Sequence, residues 1–171
     1  MSVSMYRATV PVFIRSLDVL ASLLDKAAAH AQEKGLNDSD ITSARLFDDM
    51  LPFAAQVQRA SDTSKASAER LSGVAAPRFE DTETTFAELR ERILKTTAYL
   101  KGIDAATFDG ADTRVVTIKQ KGFELNFSGA EYLFQFGLAN FYFHIVTAYD
   151  ILRHLGVPVG KLDFLGPLQP A

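Results

Sequence analysis

The sequence predicts an all-α fold: a bundle of four long helices with a small β-hairpin between the third and fourth, and an extended C-terminal tail. Three observations carry that expectation. Apolar residues recur at i, i+3, i+4 and i+7 over four long stretches. A glycine or proline stop follows each stretch. Only between Ile103 and Ser128 does the period shorten to two.

In the first stretch the apolar stripe is Val10, Phe13, Ile14, Leu17, Leu20, Ala21, Leu24 and Ala28. Gly35 supplies the left-handed residue that closes a helix, and Pro11 opens the helix or kinks it near its start. The connection from Leu36 to Asp49 is polar, with a short helical piece expected around Ile41 to Phe47. The second helix is expected to start at Leu51 and Pro52, capped by Asp48 or Asp49, and to end at Gly73 before Pro77. Its buried stripe is Phe53, Val57, Ala60, Ser64 and Leu71. For the third, Asp81 or Thr82 is the expected cap, Phe86, Leu89, Ile93, Thr97 and Leu100 the stripe, and Lys101-Gly102 the end.

Arg114 to Lys119 and Phe123 to Phe127 read as two strands around Gln120-Lys121-Gly122. Ser128-Gly129-Ala130-Glu131 is a capping box, in which serine and glutamate side chains each satisfy an orphaned amide at a helix start. The fourth helix follows and runs to Leu155, where Gly156 and Pro158 stop it, roughly 27 residues and ~40 Å long. The tail, Val157 to Ala171, is expected to lie extended on the bundle, anchored by Leu162, Phe164 and Leu165. Four stripes of this kind bury one another most economically as one bundle, a single domain over residues 1–171.

Composition narrows the function classes. The chain has 171 residues, 47% of them hydrophobic, and a net charge of −3, which leaves no basic field for nucleic acid or an anionic membrane surface. It has no cysteine, which removes disulfides, zinc–thiolate sites, iron–sulfur clusters and a cysteine nucleophile together. The residues from Met1 to Phe13 lack the pattern of a signal peptide, and no run of about 18 apolar residues occurs, so a cytoplasmic protein with no membrane partner is expected.

The fourth helix concentrates the chemistry. It holds seven of the eighteen aromatic residues, Tyr132, Phe134, Phe136, Phe141, Tyr142, Phe143 and Tyr149, spread around nearly every side. That spread reads as core for most of them, with a dimer face and an aromatic ligand box as alternatives. His144 lies in this run with Asn140, Thr147 and Ala148 on its face, as a satisfied core histidine or a metal or ligand contact. His154, ten residues on, is about 80° around and ~15 Å along, too far to share an ion with it. Asp150 and His154 are spaced for a surface ion pair, and His30 reads as a helix-terminus cation. On the second helix Leu51, Ala54, Ala55, Gln58, Asp62, Lys65 and Glu69 form one line. If it faces inward, Gln58 and Asp62 are the candidates opposite His144. If outward, Asp62–Lys65 and Lys65–Glu69 are solvated pairs, the cheaper arrangement because unpaired buried carboxylates are costly. HExxH, GxSxG, Gly-rich phosphate loops, EF-hand loops and the repeated ExxH of di-iron bundles are absent.

The segment His144-Ile-Val-Thr-Ala-Tyr-Asp-Ile-Leu-Arg-His154-Leu-Gly-Val-Pro-Val-Gly-Lys-Leu-Asp-Phe-Leu-Gly166, together with Asp49-Met-Leu-Pro-Phe-Ala-Ala-Gln-Val-Gln58, resembles a bacterial family of unknown function within the DinB-like superfamily. The resemblance covers nearly the whole chain. It implies a DinB-like four-helix bundle, commonly a homodimer, whose better-known relatives are metalloenzymes: three histidines hold a divalent metal such as zinc or nickel, and some relatives transfer low-molecular-weight thiols. Those histidines come one from the second helix and two, spaced HxxxH, from the last. Here only His144 matches. Ala148 stands at the second position of the pair, and the second helix offers Gln58 or Asp62. The resulting expectation is a small-ligand-binding, dimer-forming module that lacks the full triad, with ligand candidates His144, Gln58, Asp62, Asn140 and Tyr149. The rival is a metal-dependent thiol transferase or related hydrolase using His144.

Overall fold

In the computed structural model, which describes residues 3–120 and 122–168, the chain is mostly helical with one two-stranded antiparallel hairpin. In order the elements are α1 (Met5–Lys34), α2 (Asp38–Thr42), α3 (Phe53–Ser72), α4 (Phe86–Lys101), a 3₁₀ turn (Ala105–Phe108), β1 (Val115–Gln120), β2 (Phe123–Ser128), α5 (Gly129–Glu131), a π-helical stretch (Tyr132–Gly137), α6 (Leu138–His154) and α7 (Lys161–Leu165). Among the described residues no helix is long and apolar enough to cross a membrane.

The long helices form where the periodicity places them, because each buries one stripe against its neighbours. Phe13, Leu17, Leu20 and Leu24 of α1, Phe53, Val57, Ala60 and Leu71 of α3, and Leu89, Ile93 and Leu100 of α4 join Phe141, Ile145 and Leu152 of α6 in one core. α3 packs on α1, α4 and α6. Pro11 lies inside α1, which starts earlier than its apolar stripe because Ser4 caps it by accepting from the Arg7 amide.

Three helix starts differ from expectation. Pro52, and neither Asp48 nor Asp49, stands at the N-cap of α3, with no side-chain cap. The short helix after α1 falls at Asp38–Thr42, four residues after α1 ends, because Asn37 and Asp40 build a capping box there. α4 is capped by Thr85 with Glu88 and not by Asp81 or Thr82, since Asp81 is spent on ion pairs with Arg59 and Arg92.

β1 and β2 pair in register, with Val116 opposite Phe127 and Ile118 opposite Leu125. Of the expected turn, Lys121 lies outside the described residues, as does Pro170 of the tail. The Ser128–Glu131 capping box is present. A Cβ at Gly129 would stand 1.8 Å from the Ala111 carbonyl oxygen, so this helix start is reachable only by glycine.

The last helix is continuous in direction but not in winding. Across Tyr132–Gly137 it widens to a π-helix, and the Leu138 amide donates to the Leu133 carbonyl five residues back. Tyr132 and Phe141 are fully buried, whereas Phe134 and Phe143 are 59% and 57% exposed, so the helix is not buried on every side. In the tail, α7 replaces extended chain, and Leu162 points to solvent instead of anchoring it.

Candidate functional site

The seam between α3 and α6 is polar along its length. Gln56, Thr63, Ser67 and Arg70 fall on one line of α3, at steps of seven, four and three residues. They meet the last helix in turn. Asn140 Nδ2 donates to Thr63 Oγ1 at 3.0 Å. Ser67 Oγ lies 2.9 Å from the Tyr132 hydroxyl, which also accepts from the Arg70 guanidinium at 3.0 Å. Gly137, at the end of the π-helical stretch, packs its bare Cα against Ser67, whose Oγ would lie 3.1 Å from a Cβ there.

At the other end of the seam stands His144, 8% exposed, with Nδ1 2.7 Å from Gln56 Oε1. Gln56 Nε2 donates to the Leu51 carbonyl at 3.0 Å, which fixes the amide with its oxygen toward the imidazole. Nδ1 therefore carries the hydrogen and donates, and the lone pair is on Nε2. Nε2 has no protein partner among the described residues and is not among the enclosed unsatisfied atoms, so it keeps contact with solvent. Burial pushes the imidazole pKa down, and the positive Arg59 nearby adds to the effect. Phe143 stands edge-on to the ring, 5.3 Å between centroids.

Gln58 and Asp62, the expected partners of His144, point elsewhere. They lie on the side of α3 that faces α4 and the 73–85 connection. Gln58 Nε2 donates to Glu83 Oε2 at 3.0 Å. Asp62 is 2.7 Å from the Arg92 guanidinium and 3.1 Å from Lys65 Nζ. The line through Lys65 is not solvated either. Lys65 is 4% exposed, donates to the Pro77 carbonyl at 3.0 Å instead of pairing with Glu69, and sits 3.7 Å over the Phe79 ring. Burial lowers its pKa against the opposing hydrogen bond and charge of Asp62. Arg92, 2% exposed, donates to Glu83, Asp62, the Glu80 carbonyl and Ser61 Oγ, and also pairs with Asp81. Two buried cations thus clamp the 73–85 connection onto α3 and α4, Lys65 paired with Asp62 and Arg92 with Asp62, Asp81 and Glu83.

Tyr149 is half-buried and packs edge-on to Phe164, 5.7 Å between centroids, away from His144 in the direction of the tail. Asp150 and His154 are exposed and form no ion pair among the described residues. His30, half-buried, lies within α1 short of its end.

The set around His144 is thus one imidazole nitrogen open to solvent, a primary amide already bonded twice, and Ala148 one turn on. Among the described residues no three histidine, cysteine, aspartate or glutamate side chains stand close enough together to hold a metal ion. This does not fit a zinc or nickel ion bound by three imidazoles, for which neutral nitrogens must converge at about 2.0–2.1 Å. What the arrangement does chemically is tie α6 to α3 through a buried, tautomer-fixed hydrogen bond. Gln56 carried a legible signal, since Gln56, Thr63, Ser67 and Arg70 share a helical face, but a polar row reads as solvent-facing until a polar partner is found for it.

Residues 5–165 match the family model described as "Domain of unknown function (DUF1993)". The fold is similar to the crystal structure of a DinB family member protein from Shewanella denitrificans, with 41% sequence identity, 98% of this chain and 94% of that one covered, and a TM-score of 0.89. No curated protein sequence matches. Matched over nearly its full length by that family model, the chain belongs to the DUF1993 family, a DinB-like family of unknown function.

Proposed function

We propose that this DUF1993 protein is a non-catalytic, cytoplasmic, small-ligand-binding module: one DinB-like four-helix bundle domain that forms a homodimer. The observation that carries the reading is the state of His144. The one histidine that matches a metal-ligand position of the superfamily by resemblance gives its Nδ1 hydrogen to Gln56 and belongs to no group of three potential metal ligands among the described residues. A ligand position converted into an interhelix tie supports a scaffold more than a reaction centre. The dimer reading draws on Phe134, Phe143 and Val146, large apolar side chains left exposed on the last helix.

The rival, a metal-dependent thiol transferase or related hydrolase, draws on the solvent-facing Nε2 lone pair alone. The two separate in one experiment: elemental analysis of protein purified without chelator or metal-binding tag, followed by a thiol-transfer assay with added zinc or nickel. The proposal expects substoichiometric metal and no turnover. Stoichiometric metal, or turnover that disappears in His144→Ala, would establish the transferase reading instead.

A further inference from the structure

We infer that the groove between the outer face of α1 and the C-terminal segment binds a free long-chain carboxylic acid, its tail along α1 and its carboxylate on Arg15. This rests on the ligand-binding reading above and names the ligand class. The groove is open to solvent along one side, has a volume of about 1290 Å³, and is lined chiefly by carbon. Tyr6, Val10, Ile14 and Val19 form its floor along α1, and Leu165 and Leu168 its facing wall. From Arg15 back to Tyr6 the floor runs about 14 Å at 1.5 Å per residue, the shape of a linear chain and not of a compact ring.

The facing wall is held in place from several directions. Lys26 Nζ pairs with Asp163 at 2.7 Å, Tyr149 packs on Phe164, and the Arg15 guanidinium donates to the Leu165 carbonyl. Gly166 crosses α1 so closely, in a left-handed conformation with φ 64°, that a Cβ would meet Val19 Cγ2 at 2.7 Å. A groove whose two sides are already fixed costs little ordering when a ligand enters.

Charge selects the head group. Arg15 is exposed, lines the groove, and has no carboxylate within ion-pair distance among the described residues, and its bond to Leu165 holds the guanidinium beside the facing wall. Of the two acidic residues lining the groove, Asp163 is neutralised by Lys26, and Asp18 is exposed to solvent on the helix turn after Arg15. An apolar channel with one guanidinium that has no carboxylate partner among the described residues suits a monoanionic amphiphile.

The test measures binding to the full chain, below micelle formation, for octanoate, decanoate and laurate, with dodecanol and dodecylamine as head-group controls. Affinity should rise about fourfold per added methylene, and laurate should exceed dodecanol by roughly tenfold. Arg15→Gln, a surface change, should erase the laurate–dodecanol difference, and Ile14→Asp should weaken both while circular dichroism reports a folded chain. Laurate binding indifferent to both substitutions, or to chain length, overturns the inference. A preference for dodecylamine overturns the ligand class while leaving a ligand-binding module standing. No binding by any amphiphile removes the groove, and the non-catalytic reading is then decided by its own metal and thiol assays.

Discussion

His144 and Gln56 show how one hydrogen bond decides between two lives for a residue. The imidazole is nearly buried and its Nδ1–H is satisfied, so its removal leaves the Gln56 oxygen unpaired within the α3–α6 seam. His144→Ala should therefore destabilise the fold by about 1–3 kcal/mol, and Gln56→Ala similarly. In a double-mutant cycle by urea denaturation, the double variant should lose less than the sum of the two, because both remove the same bond. The pH dependence has a definite sign. Burial and Arg59 hold the folded-state pKa below the ordinary histidine value of about 6.5, so the unfolded chain takes up the proton more readily. The contribution of His144 to stability is complete above that value and is lost as pH falls below it. Urea midpoints compared at about pH 8 and about pH 5 should show a smaller acid-side loss in His144→Gln than in the parent. His144 stood out in the sequence because it is a lone histidine in an aromatic run. Its partner did not, because Gln58 and Asp62 share a line with apolar residues while Gln56 shares one with Thr63, Ser67 and Arg70, and a polar line in isolation reads as solvated.

At the scale of elements, the 73–85 connection is the part of the chain that pattern reading resolves least. Asp81 looked like a helix cap and Lys65 like a surface ion-pair member, but both belong to the clamp around Arg92, where a single buried guanidinium gathers Asp62, Asp81 and Glu83 from separate segments. Such convergence has no local period to betray it. Arg92→Leu should cost about 3 kcal/mol, since Glu83 loses its ion-pair partner while Asp62 keeps Lys65 and Asp81 keeps Arg59, and the loss should appear as a lower denaturant midpoint together with faster proteolysis between Gly73 and Thr85. The Ser128–Glu131 box was legible because both its partners lie within one turn. The glycine inside it has a further role: Gly129→Ala would drive a methyl group into the Ala111 carbonyl and should either prevent folding or shift the start of the last helix, read as a large loss of thermal stability. The π-helical stretch after it has no sequence signature, and both its ends, Tyr132 and Gly137, lie against Ser67 on another helix.

Across the whole molecule, the four apolar stripes were sufficient to place the long helices, because each stripe spans several turns and errors at single positions average out. The sides of those helices that carry polar residues were not legible to the same depth, since polar contacts depend on which neighbour arrives opposite. The result is a DUF1993 chain with a DinB-like frame in which His144 ties two helices together. A ligand that binds only the native state raises the melting temperature by mass action, so the most direct test is thermal unfolding of the parent and His144→Ala, each with and without excess zinc. The structure predicts that zinc leaves the parent's melting temperature unchanged and that His144→Ala melts lower by the same amount in both conditions. A zinc-dependent rise in the parent that vanishes in His144→Ala would contradict it and return His144 to the role of a metal ligand.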